Sequence, residues 1–109
     1  MKISEMQKIV DNWIKKYGVR YFSELTNMAL LTEEVGELSR HMARTFGEQS
    51  YKKKVNSKEL IKDEIGDIIF VLTCLCNQME INLENCIIDS IEKKTKRDSE
   101  RHKKNKKLK

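Results

Sequence analysis

Five acidic residues stand out by their spacing: Glu33, Glu34 and Glu37 in the stretch EEVGE, and Glu64 and Asp67 in EIGD. Residues three apart share a face of an α-helix, so Glu34 with Glu37, and Glu64 with Asp67, form two side-by-side carboxylate pairs. Like charges so placed repel, and surface helices offset them with Lys or Arg three or four residues away. Glu34, Glu64 and Asp67 have no such neighbour; Glu37 alone has one, Arg40, with His41 beyond it. A hard divalent cation, Mg2+ or alternatively Mn2+, held by a few carboxylates and completed by water and phosphate oxygens, would supply the missing charge. One quartet alone is accounted for by a solvated helix face, but two unpaired quartets on neighbouring helices favour a shared ion. A carboxylate-bridged di-iron centre would need a His three residues after a Glu; His41 falls four after Glu37, and no His follows Glu64.

Each quartet also carries a glycine, Gly36 or Gly66, although glycine inside a helix costs about 1 kcal/mol relative to alanine. The expectation is that both remove a side chain where two helices must approach closely enough for their carboxylates to share an ion.

Four helices would position these residues. Ser4 and Gln7 offer a capping box for the first, whose stripe of Met6, Ile9, Val10, Trp13, Ile14 and Tyr17 ends at Gly18. Ser23 or Thr26 can cap the second, with Met28, Leu31, Val35, Leu38, Met42 and Phe46 as its apolar side and Gly47 as its end. Residues 47–57, GEQSYKKKVNS, form the expected surface loop, and a third helix from about Lys58 to Met79 carries Leu60, Ile61, Ile65, Ile68, Ile69, Leu72 and Leu75. Asn82 caps a fourth from Leu83. The fold class is therefore all-α, an antiparallel four-helix domain joined by mostly short loops.

With 109 residues, 36% of them charged, and no proline, the chain is one domain near the lower limit for burying its own core, which favours a homo-oligomer, dimer or tetramer. Lys93 to Lys109 holds ten Lys or Arg against two acids, a local +8, so residues 1–92 carry −3 of the total +5. The expected division is a domain over residues 1–101 and a basic tail over 102–109, either a solvated end or a nucleic-acid contact. The tail lacks aromatics for base stacking, which weakens the nucleic-acid alternative. Cys74, Cys76 and Cys86 form no CxxC pair and are expected as small core residues in a reducing compartment. The longest apolar run, Ile68 to Cys76, is too short to span a bilayer, and the N-terminus has no apolar signal region, so a cytoplasmic protein is expected.

The five acids fill the pattern EExxE, spacer, ExxD. In this the sequence resembles the MazG-like nucleotide pyrophosphohydrolases of the all-α NTP pyrophosphatase superfamily, over most of the chain from the first helix through KKTKRDSERH. The resemblance implies Mg2+ held by Glu34, Glu37, Glu64 and Asp67. Glu33 would hold a further ion through water, orient the attacking water, or simply be solvated. The implied reaction is hydrolysis of a nucleoside triphosphate (NTP or dNTP) between the α and β phosphates, giving monophosphate and pyrophosphate and clearing unwanted nucleotides. A pyrophosphohydrolase of another nucleotide, such as phosphoribosyl-ATP, is the related alternative. It also implies phosphate contacts from Lys94, Arg97 and Arg101, against a solvated basic face, and a base pocket using Trp13 and Asn77, each of which has a structural role as its alternative. No GxSxG or GxxxxGK motif is present.

Overall fold

The computed structural model describes residues 1–109 and contains helices and no strands. Helix α1 spans Ile3–Trp13 and continues as one wider π-helical stretch, Ile14–Gly18; α2 spans Glu24–Phe46, α3 Ser57–Gln78 and α4 Leu83–Asp98, with a short 3-10 turn at Lys106–Leu108. No helix is long and apolar enough to cross a membrane.

Local chemistry sets most boundaries. The side chains of Ser23, Asn56 and Asn82 each accept a hydrogen bond from the backbone N–H three residues on, capping α2, α3 and α4. Helix α1 differs from the expectation. Its entry is closed by Glu5, whose carboxylate accepts from the Lys2 backbone N–H at 3.1 Å, because Gln7 is drawn into tertiary bonds instead. At the end of α2, a β-carbon on Gly47 would lie 2.7 Å from the Ala43 carbonyl oxygen, so the chain can leave the helix this way only with glycine there. After the π-helical stretch, Val19 takes φ 69° and ψ −60° in a tight turn where the Arg20 N–H donates to the Gly18 carbonyl at 2.8 Å.

Helices α2 and α3 form the main pairing, and their contacts run in opposite sequence order. Asn27 bonds Gln78, Leu30 shares a cavity with Val71 and Cys74, Glu34 and Glu37 meet Glu64, and Met42 and Phe46 lie by Ser57 and Ile61. Helix α1 packs on α3, and α4 packs on α1 rather than closing over the α2–α3 pair. Val10 of α1, Ile14 of the π-helical stretch and Cys74 of α3 form the buried centre, flanked by Met6, Tyr21 and Phe70. A polar network ties α1, α3 and α4 together. Asn77 donates to the Gln7 carbonyl and to the Tyr21 hydroxyl, Gln7 Nε2 donates to Asn77 Oδ1 and to the Ile81 carbonyl, and the Leu83 N–H donates to Gln7 Oε1.

The single chain buries little else. Its radius of gyration is 17.7 Å, against about 13 Å for a compact domain of this length. Its accessible surface is 9027 Å², against about 6,300 Å² for a folded monomer of this mass. Met28, Val35 and Met42 of α2, Ile65, Ile69 and Leu72 of α3, and Ile87, Ile88 and Ile91 of α4 are all exposed. Much of the expected apolar stripe of α2 and α3 thus faces outward, while the face that pairs them carries Asn27, Leu30, Glu34 and Glu37 opposite Glu64, Val71, Cys74 and Gln78. Cys74 and Cys76 are buried as expected, whereas Cys86 on α4 is exposed.

Candidate metal site and adjoining apolar cavity

The seam between α2 and α3 brings three acids together. One carboxylate oxygen from each of Glu34, Glu37 and Glu64 lies within 4.8 Å of the other two. One oxygen of Glu34 and one of Glu64 are sealed from solvent and have no hydrogen-bond partner. Burial, followed by the proximity of Glu34 and Glu37, pushes the Glu64 carboxyl up from 4.5 to about 7. Buried acceptors this close without donors are costly in a folded chain, and a divalent cation with oxygen ligands would satisfy all three at once.

Two surroundings shape the trio. His41, one turn after Glu37, sends its Nε2 to within 4.0 Å of Glu64 rather than back to Glu37. Its Nδ1 is 2.9 Å from the Tyr51 hydroxyl, with the Tyr51 ring stacked on the imidazole and the Arg44 guanidinium over the Tyr51 ring. The loop between α2 and α3 is thereby fastened beside the acids. Tyr51 was not visible as a candidate in the sequence because its partners lie across a loop.

Asp67 is exposed, a turn beyond Glu64 and outside the trio, and Glu33 is also exposed. The glycines do not serve the expected purpose. A methyl group added at Gly36 or Gly66 would meet no atom within 4 Å. Each lies two residues after an inward acid, about 200° around the helix, and so points away from the seam.

One turn along the seam, the character changes. A cavity of about 270 Å³ is walled by Trp13, Ile14, Tyr21, Leu30, Phe70 and Val71, with Asn27 also lining it. Leu30 lies four residues before Glu34 and Phe70 six residues after Glu64, so about 6 Å of helix rise on α2 and about 9 Å on α3 separate cavity from acids. Trp13 is half exposed and meets Phe70 edge-on, ring centroids 5.5 Å apart. Asn77, expected beside Trp13, is committed instead to Gln7 and Tyr21, with both of its N–H groups donated. Tyr21 in turn donates to Asp11 at 2.6 Å, and its hydroxyl is pushed up to about 12, chiefly by burial and then by that carboxylate. The basic candidates lie elsewhere. Lys94 donates to Ser90, and Arg97 and Arg101 both hold Asp98, so none pairs with the acidic trio within the chain.

An acid cluster with sealed orphan oxygens beside a base-sized apolar cavity is the arrangement a metal-assisted nucleotide hydrolase would need. Comparison with known proteins agrees. Residues 22–102 match the model of the MazG nucleotide pyrophosphohydrolase domain. The chain is similar to YpjD of Bacillus subtilis, a protein of uncharacterised function, at 39% identity covering 91% of this chain and 88% of YpjD. It is also similar to YvdC of the same species at 24% identity, covering 89% and 96%. Among solved structures, it superposes on that of YpjD, proposed there to be a pyrophosphatase, with a TM-score of 0.77, covering 85% of this chain and 94% of that one. It superposes on a Bacillus-conserved MazG protein, a nucleotide pyrophosphohydrolase, with a TM-score of 0.73 at 36% identity, covering 85% and 88%. Site, fold and sequence converge, and the chain belongs to the MazG nucleotide pyrophosphohydrolase family.

Proposed function

We propose that this protein hydrolyses a nucleoside triphosphate to the monophosphate and pyrophosphate, using Mg2+ held by Glu34, Glu37 and Glu64 with Asp67 at the outer edge. The observation that carries this reading is the pair of sealed, unpartnered oxygens on Glu34 and Glu64 beside Glu37. A cation bound there would neutralise phosphate oxygens and lower the pKa of an attacking water. The chain's own contribution is to hold three carboxylates at fixed separation, to shield them from solvent and to direct His41 at Glu64. No nucleophilic side chain is required; the exposed Cys86 is on α4, which packs on α1, away from the α2–α3 seam.

The same reading takes the outward apolar faces of α2, α3 and α4 as subunit contacts in a homo-oligomer, which would complete the antiparallel four-helix packing. Phosphate charge would be met by Lys94, Arg97 and Arg101, brought to the acids by a neighbouring subunit, with residues 102–109 as a solvated basic tail. Glu33 has no assigned role in this scheme.

The test is pyrophosphate release from all common NTPs and dNTPs, with and without Mg2+, beside Glu64→Gln. Metal-dependent release with a monophosphate product, reduced at least ~100-fold in the variant, is the expected result. Release unaffected by Glu64→Gln would refute the assignment of the site.

A further inference from the structure

The apolar cavity contains one polar side chain that the fold satisfies only in part. Asn27 is 5% exposed, and its amide orientation is fixed by a chain of bonds. Gln78 Nε2 donates to the Phe22 carbonyl, a group that can only accept. Gln78 therefore turns its Oε1 to Asn27, whose Nδ2 donates to it at 2.7 Å. That leaves Asn27 Oδ1 without a donor. The only fully sealed orphan side-chain atoms in the chain belong to Glu34 and Glu64, so the Asn27 oxygen keeps some exposure, and Asn27 lines the cavity.

Of the cavity's other polar side chains, Tyr21 donates to Asp11 and accepts from Asn77, and Arg20, which uses one N–H on the Tyr21 carbonyl, can only donate, so Asn27 carries the free acceptor. The volume, about 270 Å³, falls below the ~300 Å³ at which pockets for whole drug-sized ligands begin. It suits a planar ring and not an entire nucleotide. Trp13 and Phe70 offer aromatic surface to such a ring, and the acids sit a turn away, where its phosphates would lie.

Resting on the pyrophosphohydrolase reading above, we infer that Asn27 is the residue that reads the nucleobase, its Oδ1 accepting from an exocyclic amine or ring N–H of the base, while Asn77 holds the helices together and reads nothing. A buried acceptor built to be paired rejects a ligand that leaves it empty. Bases would therefore be discriminated by the presence of an N–H at that edge more than by ring size.

Trp13 is the only tryptophan in the chain and lies on the cavity wall, so its fluorescence reports occupancy without any turnover. The experiment titrates the wild-type protein, with excitation at the red edge of tryptophan absorption, with nucleoside monophosphate pairs that differ in one N–H. The pairs are adenosine against purine riboside, cytidine against its 4-deamino-4-hydro analogue, and uridine against 3-methyluridine, each with and without Mg2+. At least one pair is expected to differ about tenfold in Kd, with the difference lost in Asn27→Leu and kept in Asn27→Asp, which retains an acceptor. Asn77→Ala, followed in parallel, is expected to weaken folding while leaving the discrimination intact. Equal affinity within all three pairs, or discrimination that survives Asn27→Leu, overturns the inference. Because binding is read without hydrolysis, failure here is separate from failure of pyrophosphate release, which tests the reaction itself.

Discussion

The two halves of the α2–α3 seam leave polar atoms unsatisfied in opposite ways. At Glu34, Glu37 and Glu64, three carboxylates converge with two sealed oxygens unpaired and only His41 nearby, a concentration of like charge that works against the fold. One turn away, around Trp13, Leu30 and Phe70, the wall is apolar and the single orphan acceptor, on Asn27, is uncharged. The first half costs stability until a cation enters; the second costs little and gains only when a ligand fills it. A fold selected for stability alone would have put a leucine at Glu64.

The largest effect should appear when that charge is neutralised. The Glu64 carboxyl, held near 7 by burial and then by Glu34 and Glu37, has an ordinary value of 4.5. Between those values the folded chain keeps a proton that the unfolded chain has lost, so in the absence of metal stability falls as pH rises from about 4.5 to about 7, and the whole penalty persists above. Mg2+ binds the ionised trio, so at one hundred times its Kd it should add about 2.7 kcal/mol near pH 8, and clearly less near pH 5.5. Thermal melts with and without Mg2+ at both pH values check this. Glu64→Gln should raise the metal-free Tm at pH 8 and abolish the response to Mg2+. A metal-free Tm that climbs from pH 5 to pH 8 in the wild type would break the contrast between the halves.

The next effect concerns the network behind the apolar half. Asn77→Ala leaves the Gln7 carbonyl, Gln7 Nε2 and the Tyr21 hydroxyl each short of a partner, and is expected to cost about 1–3 kcal/mol in denaturant unfolding. Its Mg2+ affinity should not change, since the network does not touch the acids.

These contrasts also show what the sequence could reveal. The acids, the caps at Ser23, Asn56 and Asn82, and the four helices are set by neighbours within one turn, and such spacing is visible in a single chain. The bonds of Asn77 were not, because its partners are 56 and 70 residues away. Asn27 did carry a signal: with Leu30, Glu34, Glu37 and His41 it falls at three- and four-residue steps along one face of α2, the face that pairs with α3. The expected apolar stripe is displaced by a residue from that face, at Met28, Val35 and Met42, and is left outside. Apolar content alone could not say which of two adjacent stripes would be covered within the chain. The glycines misled for the same reason, since closeness to an acid in sequence is not closeness in direction.

The smallest expected effect separates positioning from tethering. Tyr51 touches the acidic half only through His41, by a hydrogen bond of 2.9 Å to its ring, a longer one of 3.5 Å to its carbonyl, and a stacked ring. Tyr51→Phe removes the hydroxyl's bonds and keeps the stack and the Arg44 contact, so folding should change by no more than about 1 kcal/mol. If the hydroxyl serves to aim His41 at Glu64, Mg2+ affinity should fall by roughly threefold to tenfold, the low end of what outer partners of a metal site contribute. If Tyr51 merely pins the loop, stability drops and Mg2+ affinity stays put. Calorimetric Mg2+ titration beside a thermal melt distinguishes the two, because His41 reaches Glu64 and not the loop backbone: only an aiming role moves the metal and leaves the fold where it was.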